Sequence, residues 1–175
     1  MPTVRPFTVT HMGVLAIAVP MTIAYLSTPM LGLVDTAVIG QLGRADLLGG
    51  IAVGAVIFDI LFTTFNFLRS GTTGLTAQAL GAEDKTGQTA ALYRAALIGL
   101  AIGVIVIALQ IPLLETSLVF MGASPAVEGA VREYFSIRVL SAPFSLFNYA
   151  ILGWFLGLGR AKTGLALQLL LNVLH

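Results

Sequence analysis

The 175-residue sequence contains no cysteine. That excludes disulfides, thiolate metal sites and cysteine nucleophiles. Charge is also scarce. Asp, Glu, Lys and Arg make up 10% of the chain, against about 25% in ordinary soluble domains. A water-facing surface needs roughly that larger share to stay dispersed. The two histidines, His11 and His175, stand near opposite ends and form no metal-ligand spacing. No Gly-rich phosphate loop with its Lys is present, and no Ser, His and Asp set can be read. Nothing here points to an enzyme or a cofactor. Nor does any basic run with interleaved aromatics point to nucleic acid.

Apolar residues fill the space left: 57% of the chain is hydrophobic. A helix needs about 20 apolar residues to cross the hydrocarbon core. Windows of that length recur: Met12 to Val34, ending at Asp35; Leu47 to Leu68, interrupted only by Asp59; Ala95 to Leu114, between Arg94 and Glu115; and Val139 to Gly159, between Arg138 and Arg160. A fifth begins after Lys162 and stops at His175. The expected spans are about 12–42, 47–80, 90–114 and 126–157, with a truncated fifth over 163–175. The chain reads as an all-α integral membrane protein, a polytopic helical bundle, with the lipid bilayer as its solvent. An extended sheet is excluded, because lipid offers open strand edges no partner. Ala16-Ile17-Ala18 imitates a signal-peptide cleavage site, but only Met12 to Leu15 precede it as apolar core. A leader needs about 7–15 such residues, so the segment reads as a first span. The short fifth window reads as the edge of a longer protein.

Loops separate the windows. Gly122-Ala123-Ser124-Pro125 is a turn in which Ser124 is expected to cap the next helix, with Pro125 at its first position. Orientation follows Lys and Arg. Arg5, Lys85, Arg94, Arg160 and Lys162 fall on one side, Arg44 and Arg132 on the other. This favours a cytoplasmic N-terminus in the inner (cytoplasmic) membrane. Gly50 and Gly54, Gly99 and Gly103, and Gly153 and Gly157 each form Gly-x-x-x-Gly. That spacing lets two helix backbones approach closely in lipid, and plain packing explains all three.

A few polar residues interrupt the apolar windows. An Asp at a span's centre costs about 2.5–3.5 kcal/mol, so Asp35 is expected to face a cavity. The competing reading puts the helix end near Val34 and Asp35 among headgroups, but Ala37, Val38 and Ile39 continue the apolar run. Thr28 lies about 20° off the same face. Asp59, Thr63, Asn66 and Ser70 form a second stripe, and Ser141, Ser145 and Asn148 a third. Each stripe lines water or bonds a neighbouring helix. Arg69 is expected to snorkel to the cytoplasmic headgroups, and Pro143 to bend the fourth span.

These residues resemble a known family. Pro29-Met30-Leu31-Gly32-Leu33-Val34-Asp35-Thr36-Ala37-Val38-Ile39-Gly40 resembles the first helix of multidrug and toxic compound extrusion (MATE) transporters. Gly71-Thr72-Thr73-Gly74-Leu75-Thr76-Ala77-Gln78-Ala79-Leu80-Gly81-Ala82 is similar to their second-helix exit. Leu140-Ser141-Ala142-Pro143 and Asn148, followed by Leu152-Gly153-Trp154-Phe155-Leu156-Gly157, look like their fourth helix. The pattern is nearest the DNA-damage-inducible protein F subgroup. The resemblance implies two six-helix lobes exporting a drug or metabolite in exchange for H+ or Na+. This chain would be part of the N-terminal lobe, and the missing C-terminal lobe its partner. Asp35 falls on the cation-coupling acid, Pro20 on a helix-bending proline, and Asn148 on a cavity residue. Asn172 matches the first position of a fifth-helix pattern, whereas His175 stands where a second Asn is usual. Asp59 falls where a small or apolar residue is usual. The alternative reading is a lipid-linked precursor flippase of related fold. The scarcity of cationic residues outside loops argues against it.

Overall fold

The computed structural model of the protein describes residues 10–41 and 43–174. For Ile17, Ala24, Tyr25, Ser27, Thr28, Pro29, Leu31, Asp35, Asn172, Val173 and Leu174 it describes the backbone alone. The described chain is helical, with no strand: α1 (His11–Gly40), α2 (Ala45–Thr64), α3 (Phe67–Gly81), α4 (Lys85–Ala108), α5 (Gln110–Met121), α6 (Pro125–Arg138), α7 (Ala142–Gly157) and α8 (Ala161–Leu174). Among the described residues, three stretches are long and apolar enough to cross a membrane: Ala45–Gly81, Lys85–Ala108 and Pro125–Gly157.

Local chemistry explains most of the boundaries. Thr10 accepts a hydrogen bond from the Gly13 N–H at 3.1 Å and starts α1. α1 then runs unbroken as α-helix through Pro20, the residue expected to bend it, and Pro20 is buried. Between α2 and α3, the N–H groups of Phe65 and Asn66 bond the carbonyls of Phe62 and Thr63, tightening one turn inside an otherwise continuous span. Pro112, which has no N–H, accounts for the break at Leu109 between α4 and α5. A 3-10 turn at Val139–Ser141 joins α6 to α7 just before Pro143, for the same reason. Pro125 opens α6 as expected, but Ser124 makes no side-chain cap bond. With Pro at the first position one orphan donor is already absent.

Glycines set how closely the helices approach. A Cβ on Gly50 would lie 2.4 Å from the Ala130 Cβ, and one on Gly54 2.4 Å from the Tyr134 ring, so α2 lies tightly on α6. Gly99 faces the Leu146 carbonyl and Gly103 the Pro143 Cα, which closes α4 on α7. Gly153 meets the Arg69 carbonyl and Gly157 the Thr73 carbonyl, which closes α7 on α3. All three Gly-x-x-x-Gly pairs therefore sit at helix crossings. Two apolar clusters fill the block. One is built on Phe58, Val131, Phe135 and Val139, the other on Leu68, Ala95, Leu146 and Ala150. The Trp154 indole N–H donates to the Gln88 carbonyl at 2.9 Å and ties α7 to α4. α1 packs mainly on α8, and this pair meets the block more sparsely through α2 and α7. Phe120 and Val119 are each 81% exposed and Phe144 74% exposed. Large apolar side chains in such numbers on the outer surface suit contact with lipid.

Candidate functional site

A cavity of about 520 Å³ lies where the α1–α8 pair meets the block. Met21 of α1 and Gly164 and Gln168 of α8 line one side. Phe62, Thr63, Asn66 and Arg69 come from the broken α2–α3 span, and Arg138, Ser145, Asn148, Tyr149, Leu152 and Leu156 from the α6–α7 span. A larger groove of about 780 Å³ runs between α3 and α4, but its wall is mostly glycine, alanine and leucine with its charged groups, Asp84 and Arg94, set apart among them. Convergent polar side chains, not volume, mark a solute site, so the smaller cavity is the candidate.

The polar stripes divide at this cavity. Thr63 and Asn66 line it, but Ser70 instead bonds its own helix, its hydroxyl 3.3 Å from the Asn66 and Phe67 carbonyls. Ser145 and Asn148 line it, while the Ser141 hydroxyl donates to the Arg138 carbonyl at 2.7 Å. Asp59, expected among the lining residues, is exposed on α2 and absent from the wall. The cavity begins about one turn further along, at Phe62 and Thr63, which leaves Asp59 beyond its edge. Position 35 lies near the end of α1, position 28 midway along it and position 172 near the end of α8. The side chains of Asp35, Thr28 and Asn172 lie outside the described set.

Two arginines stand on the wall that were not among the expected lining residues. Arg69 was expected at the headgroups. It stands on the cavity wall, its guanidinium 5.7 Å from the Tyr149 ring centroid. Arg138 had been taken as the border of a charge-free window. It lies inside the Pro125–Gly157 stretch, about 20 Å along the helix from Pro125. Arg138 donates to the Tyr134 hydroxyl and stacks 5.3 Å from the Phe58 ring centroid and 5.4 Å from that of Tyr134. A desolvated cation over an aromatic face gains about 2 kcal/mol. That gain helps to hold the guanidinium on the cavity wall.

A lipid-facing helical bundle around a polar chamber defines a multi-pass membrane protein. The MatE family model matches residues 20–175, and the chain belongs to that family. It is 42% identical over 159 residues to DNA damage-inducible protein F of Escherichia coli (strain K12), covering 91% of this chain and 35% of that protein. It is 30% identical over 162 residues to the multidrug resistance protein PmpM of Pseudomonas aeruginosa, covering 91% and 34%. Against the multidrug export protein MepA of Staphylococcus saprophyticus it is 27% identical over 169 residues, covering 93% and 37%. The chain thus spans about a third of the length of the curated relatives it matches. A solved MOP superfamily transporter from Pyrococcus furiosus superposes with a TM-score of 0.82 at 21% identity, over 93% of this chain and 36% of that one. That likeness speaks for the fold.

Proposed function

We propose that this chain forms part of the N-terminal lobe of a cation-coupled exporter of small drugs or metabolites, set in the cytoplasmic membrane with its N-terminus inside. The observation that carries the reading is the polar cavity among α1, α2–α3, α6–α7 and α8 of a MatE-family chain. Secondary transporters bind substrate and coupling ion near the bilayer midplane and move one half against the other around that site. The relatives include proteins named for multidrug resistance and export. Asp35 is the proposed coupling group. A carboxylate inside a low-dielectric span takes up H+ or Na+ and releases it when its hydration changes. Asn66 and Asn148 offer neutral hydrogen bonds to the substrate.

The test is dye export from vesicles carrying the full-length protein, driven separately by a proton gradient and a sodium gradient. Asp35→Asn should abolish gradient-driven export at equal membrane expression, while equilibrium binding of the dye falls far less. Asp59→Asn, outside the cavity, should lower export less than twofold. Normal export by Asp35→Asn refutes the coupling role. A second reading, transport of lipid-linked precursors, is favoured by one observation: Arg69 and Arg138 sit on the cavity wall, not in loops.

A further inference from the structure

We infer that the exposed face of α2 around Asp59 is where the rest of the protein docks, and that the docked segment supplies Asp59 with a hydrogen-bond donor. The inference rests on the reading of this chain as one lobe of a longer transporter. Asp59 is exposed and has no hydrogen-bond or ion-pair partner among the described residues. No other Asp, Glu, Lys or Arg lies between Asp46 and Arg69, so about 20 Å and about 15 Å of charge-free helix flank it. A second helix fixes its level. Gly50 packs on Ala130 and Gly54 on the Tyr134 ring, so α2 and α6 run side by side in the same direction. Arg132, half-exposed and paired with Glu115, is therefore level with the stretch between Gly50 and Gly54. Asp59 lies about 10 Å further into the apolar part of the bundle. Arg138, about level with it on α6, is turned instead to the Tyr134 hydroxyl and the rings of Phe58 and Tyr134.

Hydrocarbon offers a carboxylate no donor, so Asp59 is out of place on a bare lipid-facing surface. Its surroundings suit cover by protein. Val56, Asp59, Ile60 and Thr63 share one side of α2 by helical spacing, and Val56 and Ile60 are 46% and 58% exposed. Apolar neighbours of this kind exclude water from a central polar contact once a partner is seated, and a bond shielded in that way is electrostatically stronger. Thr63 also lines the cavity, so the face runs on from the cavity's edge. Many secondary transporters place their site between two halves of the chain. A half that meets this lobe at the cavity meets α2 beside it. Such a segment is available in a protein of the relatives' size, because this chain spans about a third of their length.

The experiment measures collisions of a spin label with oxygen and with a water-soluble nickel chelate, in the full-length protein held one copy per nanodisc. The labels sit on Val56→Cys and Ile60→Cys in a background free of other cysteines. A doxyl-labelled lipid in empty discs gives the value for exposure to hydrocarbon. A label on Lys85→Cys, at the exposed start of α4, gives the value for exposure to water. Both α2 labels should be less than half as accessible to oxygen as the lipid standard, and less than half as accessible to nickel as the water standard. Oxygen access equal to the lipid standard puts the face in lipid and overturns the inference. Nickel access equal to the water standard puts it in water and overturns it too. So does low access that appears only with several copies per disc, which assigns the face to a second copy of the protein. Melting temperature is the second readout, and it stands alone where a labelled variant fails to fold. Asp59→Asn keeps an acceptor and should shift it by less than about 1 °C. Asp59→Leu leaves the partner's donor unpaired and should lower it by at least about 2 °C. An unchanged or higher value in Asp59→Leu overturns the inference, because an apolar side chain relieves a carboxylate that faces lipid. Neither readout uses a gradient. A covered Asp59 in a protein that exports nothing would defeat only the export reading, and export with Asp59 bare to lipid or water would defeat only this one.

Discussion

The α2–α7 block and the α1–α8 pair are built on different terms. In the block, glycine lets backbone meet backbone, and Phe58, Val131, Phe135, Val139 and Leu146 are at most 1% exposed. In α1, Pro20 alone is buried among the described side chains, and Met12, Leu33 and Met30 are 77%, 71% and 65% exposed. The cavity lies at the seam between the two. Among the described lining residues, those with hydrogen-bonding or charged groups stand mostly on the block side: Asn66, Arg69, Arg138, Ser145 and Asn148. A ligand site gains from groups whose geometry is fixed by packing. The sparsely packed pair is the wall that can shift at smaller energetic cost, because fewer close contacts must be broken.

The comparison is broken most severely at Gly103. A Cβ there would lie 2.3 Å from the Pro143 Cα and 2.5 Å from its N, both backbone atoms that cannot turn aside. Gly103→Ala should therefore cost about 3 kcal/mol, the upper end of ordinary overpacking. The readout is a large fall in monodisperse protein and in melting temperature in detergent. Gly71→Ala is the control, since nothing lies within 4 Å of its Cβ position. It should be neutral or gain up to about 1 kcal/mol from helix propensity. Equal losses in both variants would mean that the helix crossing does not depend on Gly103.

A smaller effect separates the two regions directly. Phe135 is 1% exposed and stacks on Phe58 in the block. Phe135→Ala should cost about 3 kcal/mol at most in lipid, because the loss there is packing alone. It should also loosen Arg138, whose guanidinium lies over Phe58. Leu33 in α1 is 71% exposed, and Leu33→Ala should change stability by less than about 0.5 kcal/mol. Thermal unfolding of both in one detergent makes the test. A Leu33→Ala loss matching that of Phe135→Ala would show that the face of α1 is covered.

Much of this was legible in residue patterns. The glycine spacings named three crossings because only glycine permits backbone contact at every fourth residue. The stripes through Asn66 and Asn148 reached the cavity because helical periodicity fixes a face. Asp59 was misread because a stripe fixes direction and not depth: Thr63 reaches the cavity, and Asp59, one turn away, does not. Arg138 lay within the expected span 126–157 but was passed over as a lining residue because it bordered the charge-free window. Its aromatic support comes partly from Phe58, eighty positions away in sequence, which no local pattern reveals. Ser124 has the right residue type for a cap, yet makes no cap bond.

The smallest effect expected concerns a turn on the edge of the block. α7 ends with the Gly159 N–H bonding the Leu156 carbonyl and the Arg160 N–H bonding the Phe155 carbonyl, both at 2.9 Å. α3 ends in the same way, through Glu83 to Leu80 at 3.0 Å and Asp84 to Ala79 at 2.9 Å. The shared motif needs a left-handed residue at one position. Gly159 adopts it at φ +70°, and Glu83 adopts it at φ +57°. A side chain in that conformation costs about 1–2 kcal/mol, and part of the gain from glycine is lost to its greater freedom when unfolded. Glu83→Gly should therefore stabilise the protein by about 0.5 kcal/mol, a rise of about 1–2 °C in Tm. Glu83→Ala removes the same charge but keeps the strained Cβ, so it should give no rise. The converse change, Gly159→Ala, should lower Tm by about 2–4 °C. A rise in Glu83→Ala equal to that in Glu83→Gly would assign the gain to charge. The block's stability would then owe nothing to the conformation of this turn.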